Sequence, residues 1–218
     1  MLTMTDLLDL SHSLAGAYLR DFSYPWEALD GIKDCILSLQ KNLGEEYAEI
    51  SPQVFAHKTA VIAPTAFIGG PSIIGPGTEV RHCAFIRGSA LIGSGCVVGN
   101  SVEVKNAILF DHVQVPHFNY VGDSILGFRA HMGAGSVTSN VKSDQTSVVV
   151  KSGQEKLDTH RKKFGAVLGD HAEVGCNSVL NPGTIVGRNA TVYPASCVRG
   201  VVPCGCIYKS PDVIVKKI

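Results

Sequence analysis

The stretch VPHFNYVGDSILG, residues 115–127, sets an imidazole, a phenol and a carboxylate, His117, Tyr120 and Asp123, among short apolar steps. An imidazole titrates near neutrality, at about 6.5 when unperturbed, so the residue type of His117 is suited to general acid–base work. Asp123 could orient that ring, although an aspartate at a turn is commonly a local cap. Upstream, Arg87 and Lys105 are separated by three steps of six. On a backbone that completes a turn over that interval they would stack on neighbouring turns and present two cations to one anion. Whether these groups meet depends on the elements that carry them.

Those elements have a period of their own. Ile62, Ile68, Ile74, Val80, Ile86, Ile92, Val98 and Val104 sit six apart, and small residues follow many of them by four places, as at Ala66, Ser72, Thr78, Ala84 and Ala90. A period of six fits neither an α-helix nor a long alternating strand. Three hexads per turn give a triangular coil whose corners and faces recur from one turn to the next, with the branched apolar residue pointing inward at each flat side. One residue drops out at 104–108 and again at 121–125, after which the pattern continues at Leu126 and Met132. It breaks between about 139 and 166 and resumes at Leu168, Val174, Leu180, Val186, Val192 and Val198. The fold expected is mostly β: a single-stranded left-handed parallel β-helix over 49–206. One long inter-coil loop over 139–166 is thrown out from it, and 207–218 is a C-terminal tail. A loop of that kind in a regular solenoid more often serves function than decoration.

Residues 1–48 contain no hexads. After Pro25 the apolar positions Trp26, Leu29, Ile32, Ile36 and Leu43 follow helical spacing, with Pro25 suited to a first turn and Gly44 to a C-terminal cap. The expectation is a helical N-terminal cap that covers the first open coil, because exposed coil ends behave as edge strands.

Composition narrows the function. The 218 residues are 45% hydrophobic and carry 19 Lys+Arg against 19 Asp+Glu, so no global basic field attracts nucleic acid or an acidic membrane surface. The opening MLTMTDLLDL lacks the basic start of a signal peptide, and no run of apolar residues reads as a membrane span. A cytoplasmic protein is expected. Seven cysteines form no CxxC pair, which points to reduced, structural thiols and to no metal site.

The segments CAFIRGSA, GNSVEVKNA, VPHFNYVGDSILG and HMGAGSVTSN occur in that order. Together they resemble the acetyltransferase domain of the bifunctional glucosamine-1-phosphate acetyltransferase/N-acetylglucosamine-1-phosphate uridylyltransferases. The later KSGQEKLDTHRKKFGAVLGD is similar to the archaeal-type sugar-1-phosphate nucleotidylyltransferase/acetyltransferases. The resemblance covers roughly residues 50–205. It implies an N-acetyltransferase that moves an acetyl group from acetyl-CoA to an amino-sugar 1-phosphate, in nucleotide-sugar and cell-envelope precursor synthesis. It makes Arg87 the phosphate-binding arginine, Lys105 the next basic contact, His117 the catalytic base, and Tyr120 and Asn140 substrate contacts. The family's asparagine before GAG is His131 here, a substrate position that leaves the particular sugar open. Oxyanion stabilisation falls to a backbone N–H in Gly133–Gly135. Acetyl-CoA is expected along the later coils near Ala134, Cys176 and 193–199, its phosphates met by Arg188 or Arg199. By the same resemblance, Lys162 of the HRKKFG cluster reaches the phosphate site of a neighbouring subunit in a homotrimer. A triangular prism with one apolar outer face also favours threefold association. The opening segment before the hexads holds no glycine-rich nucleotide-binding loop, so the nucleotidyltransferase half is not expected in this sequence.

Two other readings use the same coil. His112 and His117 have the spacing of a γ-carbonic-anhydrase-type metal site, but His82 lies five repeat units before His112 and so on another side of the prism. A catalytically silent assembly module would use the coil as a spacer and the helical cap as a docking surface.

Overall fold

The computed structural model describes residues 1–217. The hexads form a left-handed parallel β-solenoid of about nine turns. One coil shows how each turn is built. Val97–Asn100 runs along a first face; Glu103–Leu109 bends across the second and third; Gln114–His117 returns to the first and Tyr120–Leu126 repeats the bend. Val61 pairs with Glu79, Phe67 with Phe85 and Ser72 with Ala90, each pair one full turn of three hexads apart. Glu103 pairs with Tyr120 and Gln114 with His131, each pair one position closer than that, which is the residue lost at the two pentads. At both pentads one residue makes the corner, Asn106 at φ 46° and Asp123 at φ 48°.

The inward residues from Ile74 to Val104, and from Leu126 to Val198, are buried, whereas Ile62 and Ile68 of the first coil are only partly covered. Each buried Val, Leu or Ile contributes about 1.5–3 kcal/mol. The corners stack into columns of left-handed residues. Cys83, Ser101, Phe118, Gly135, Asn177 and Ala195 mark the turn from first to second face, and His112, Arg129, His171 and Asn189 the turn from third to first.

The third face is apolar on both sides. Its outward residues Ile73, Leu91, Ile108, Ile125, Val167 and Ile185 align in register and are fully or almost fully buried. The N-terminal segment covers them, through Pro25–Gly31 and helix Ile32–Gln40 packed along the middle coils. His12 stacks on Phe128 at 3.7 Å, and the Asp111 and Asp170 N–H groups donate to the carbonyls of His12 and Leu7. The segment expected to cap the coil end therefore lies along its flank, because that is where the unpaired apolar stripe is.

The 139–166 loop completes the same layer. Its hairpin, Val149–Ser152 against Glu155–Asp158, lays the buried Val148 and Val150 toward the solenoid at Gly183, and Trp26 meets Phe164 at 5.9 Å. The apolar outer face expected to join subunits is thus covered within the chain. At each end of the coil one face carries a reversed strand: Tyr47–Ser51 runs antiparallel to Val54–His57, and Val213–Lys216 antiparallel to Cys206–Ser210. The expected tail is therefore the last rung of the coil and its return strand, with residue 218 outside the described residues. No helix among the described residues is long and apolar enough to cross a membrane.

Candidate functional site

His117 ends the strand Gln114–His117 at the edge between first and second faces. Its backbone is fixed on both sides: its N–H donates to Asn119 Oδ1 at 3.1 Å, and its carbonyl accepts from the Gly135 N–H at 3.0 Å. Asn119 is buried and donates to the Gly133 carbonyl at 2.8 Å, which ties the corner to the next coil. Gly99, one coil above, is required there, since a Cβ would lie 1.6 Å from the Pro116 carbonyl oxygen. Phe118 follows at φ 51° and is 64% exposed, an unusual conformation for a bulky residue. The exposed His117 ring makes no hydrogen bond among the described residues, so both ring nitrogens are open to a ligand.

A groove of about 410 Å³ runs past this edge, lined by His117, His131, Gly133, Ala134 and Cys176 together with Arg81 and Gln114. In this coil the turn leaves one amide without an acceptor among the described residues. Gly133 and Gly135 donate to Val174 and His117 carbonyls, while the Ala134 N–H has no acceptor among the described residues. Of the stretch expected to hold an oxyanion, Ala134 is the available donor. His131 Nδ1 lies 2.8 Å from Glu173 Oε2, a carboxylate that sequence reading does not find. The two are paired in register on adjacent coils, but the inserted loop lies between them in the chain and hides the spacing.

The second cluster lies across the second face. Arg87 Nη1 is 2.8 Å from Glu103 Oε1, and Lys105 Nζ is 3.4 Å from Asp123 Oδ2. Asp123 also accepts from Asn106 Nδ2 at 2.9 Å and from Asn140 Nδ2. The Glu103 hydrogen bond raises the Arg87 guanidinium further above its usual value and holds it charged. Burial raises the Tyr120 phenol, with the Asp123 and Glu103 carboxylates adding and Arg87 opposing, so Tyr120 stays a neutral hydrogen-bonding group. Arg87, Lys105, Tyr120 and Asn140 are thus brought together as expected, but each cation already has a carboxylate partner. Asp123, for which sequence leaves an orienter of His117 and a local turn cap both open, sits at the opposite edge of the second face and holds Lys105 and Asn140.

Three expected contacts lie elsewhere. Lys162 is exposed at the neck of the loop, beside the Val141–Lys163 bridge, near Asn140 of its own chain. Arg188 is 3.0 Å from Asp170 and donates to the Leu7 carbonyl, anchoring the N-terminal segment. Arg199 follows Val198 at the turn into the third face. Neither arginine reaches the Ala134–Cys176 edge within the chain. His112 and His117 stand at opposite edges of the first face, with ~15 Å of extended chain between them. His82 falls in the column of His117. Among the described residues no three His, Cys, Asp or Glu are arranged to hold a metal ion.

No protein-family model matches the chain. It is 31% identical over 196 residues to the bifunctional sugar-1-phosphate nucleotidylyltransferase/acetyltransferase of Sulfurisphaera tokodaii, a match covering 88% of this chain and 49% of that protein. It is 32% identical over 206 residues to the bifunctional protein GlmU of Methanocaldococcus jannaschii, covering 92% and 50%. Among solved structures it is similar to PerB from Caulobacter crescentus in complex with CoA and GDP-perosamine (TM-score 0.37, 17% identity, 76% of this chain and 57% of that one). It is also similar to a mutant of AntD, an N-acyltransferase from Bacillus cereus, in complex with dTDP and coenzyme A (TM-score 0.43, 15% identity, 79% and 91%). Fold and repeat make the chain a hexapeptide-repeat β-helix protein. Within that class it belongs to the family of the bifunctional sugar-1-phosphate nucleotidylyltransferase/acetyltransferases, and it spans about half the length of the curated relatives it matches.

Proposed function

We propose that the chain is an acetyl-CoA-dependent N-acetyltransferase acting on an amino-sugar 1-phosphate of the glucosamine-1-phosphate kind, with His117 as general base and direct transfer. The observation that carries this reading is the pairing of two edges of one face. An imidazole with free ring nitrogens stands at one edge, beside a groove with an unused amide at Ala134. A cluster of Arg87, Lys105, Tyr120 and Asn140 stands at the other. The groove fits an acyl carrier, because Gly133, Ala134 and Cys176 leave room for a narrow chain to lie against the coil.

Acetyl-CoA, when bound, supplies the thioester. His117 takes the proton that the amine loses as its nitrogen bonds to the thioester carbon. The Ala134 N–H supports the negative charge that gathers on the oxygen. The protonated ring returns the proton to the sulfur as the carbon–sulfur bond breaks. Arg87 and Lys105 hold the phosphate, and His131 faces the acceptor. Three copies would meet along the first and second faces, since the third is covered, with Arg199 and Lys162 available to sites shared between subunits, whereas Arg188 is held by Asp170 and the Leu7 carbonyl. The reading is tested by following thiol release from acetyl-CoA with a panel of amino-sugar 1-phosphates. Turnover with one of them is expected, and none with any would overturn it.

A further inference from the structure

Asp123 and Asp170 are both buried acids at coil corners, and their partners differ in kind. Asp170 accepts from the N–H groups of Asp9 and Phe128 and pairs with Arg188, so it fastens chain to chain. Asp123 is surrounded by side chains. Its carboxylate, 5% exposed, meets the Lys105 ammonium, the Asn106 amide and the Asn140 amide, and its carbonyl accepts from the Gly165 N–H at 2.9 Å. Asn140 begins the long loop and Gly165 ends it, and the Phe164 N–H donates to the Asn140 carbonyl across the neck. Gly165 approaches so closely that a Cβ would lie 2.2 Å from the Gly122 carbonyl oxygen. On the far side, Asn106 Nδ2 also reaches the Leu29 carbonyl at 3.2 Å, which links Asp123 to the N-terminal layer.

We propose that Asp123 is the positioning residue of the anion-binding edge. One carboxylate sets the Lys105 ammonium and the Asn140 amide in a single geometry toward a phosphate-bearing acceptor. Asn106 braces that carboxylate against the N-terminal segment. A buried acid that holds two side chains of the preceding coil and one from the neck of the loop loses its directional pull when it becomes an amide, which can accept at only one atom. The inference rests on the proposed function for the identity of the acceptor and on geometry alone for Lys105.

The test uses the whole chain carrying Asp123→Asn, which keeps shape and tolerates the left-handed corner. KM for glucosamine-1-phosphate should rise about tenfold, while kcat and KM for acetyl-CoA stay within about twofold. A purely structural role would lower kcat and disturb both KM values together. Lys105 should also become several times more reactive toward acetic anhydride, read by peptide mass spectrometry against Lys156 on the exposed hairpin. Asn106→Gly suits the same corner, where Gly88 and Gly183 stand in other coils, and should shift both readouts in the same direction by less. It carries the test if Asp123→Asn does not fold. Raised Lys105 reactivity in a protein inactive on every amino-sugar phosphate would support the positioning role and overturn the proposed function. Unchanged Lys105 reactivity with unchanged KM would overturn the positioning role.

Discussion

The Arg87 guanidinium donates to the Glu103 carboxylate at 2.8 Å, from one coil to the next. The cation best suited to grip a phosphate is therefore partnered by an acid that an incoming phosphate must displace. Glu103→Gln should lower KM for the sugar phosphate, and Arg87→Ala should raise it by about tenfold. Initial-rate kinetics at fixed acetyl-CoA decide the matter, and equal KM values in both variants would remove Arg87 from the phosphate site.

His117→Ala should keep both KM values and lower kcat by about 10²–10⁴-fold, the range for a positioned proton acceptor. His112→Ala, at the other edge of the first face, should change little. Equal damage from the two histidine variants, or rescue by added zinc, would move the metal reading to first place.

The thiols should divide by burial. Cys83, Cys176, Cys197 and Cys204 are exposed, whereas burial pushes the Cys96 thiol up to about 12 and the Cys35 thiol to about 11. A raised thiol pKa means less thiolate near neutrality and slower attack. Alkylation with mass-spectrometric readout should label the four exposed cysteines quickly and Cys35, Cys96 and Cys206 only on unfolding. Acetyl-CoA should slow labelling at Cys176 in the groove, and labelling there that ignores the ligand would place the acyl donor elsewhere.

Alkali should loosen the N-terminal layer. Burial pushes the Tyr18 phenol from 10.0 up to about 12, and its hydroxyl donates to the Ala28 carbonyl at 2.6 Å. The folded state favours the protonated phenol, so this contribution is complete below about pH 10 and is lost as pH rises toward 12. Tyr18→Phe should remove that part of the alkaline sensitivity while costing about 1 kcal/mol for the missing hydrogen bond. Denaturant melts at several pH values provide the check.

The active species should be a trimer that leaves the covered third face outside its contacts. Light scattering that finds a fully active monomer would sink that expectation.

The coil, its pentads and the position of the loop are legible because a solenoid writes its cross-section into the spacing of Ile and Val. The lateral docking of the N-terminal segment does not follow from its helical spacing, although a signal for it exists in the coil. Runs such as Ser72–Ile74, Ala90–Ile92 and Thr184–Val186 are buried on every residue, whereas strands such as Glu79–Val80 bury only the second. A face apolar on both sides must be covered. Arg87, Lys105, Tyr120 and Asn140 come together because their spacing follows the coil. Glu173 stays hidden because the inserted loop breaks its register with His131, and the Arg87–Glu103 contact because a coil period says nothing about side-chain reach.

A stack of parallel rungs has no length of its own, since each new rung leaves an edge as sticky as the last. The two reversed strands, Tyr47–Ser51 and Val213–Lys216, offer outward edges whose polarity opposes that of the coil. A second copy approaching end to end cannot continue the parallel ladder across either of them. On the two faces that carry them they act as chain terminators and oppose end-to-end growth of a sequence built from a repeating unit.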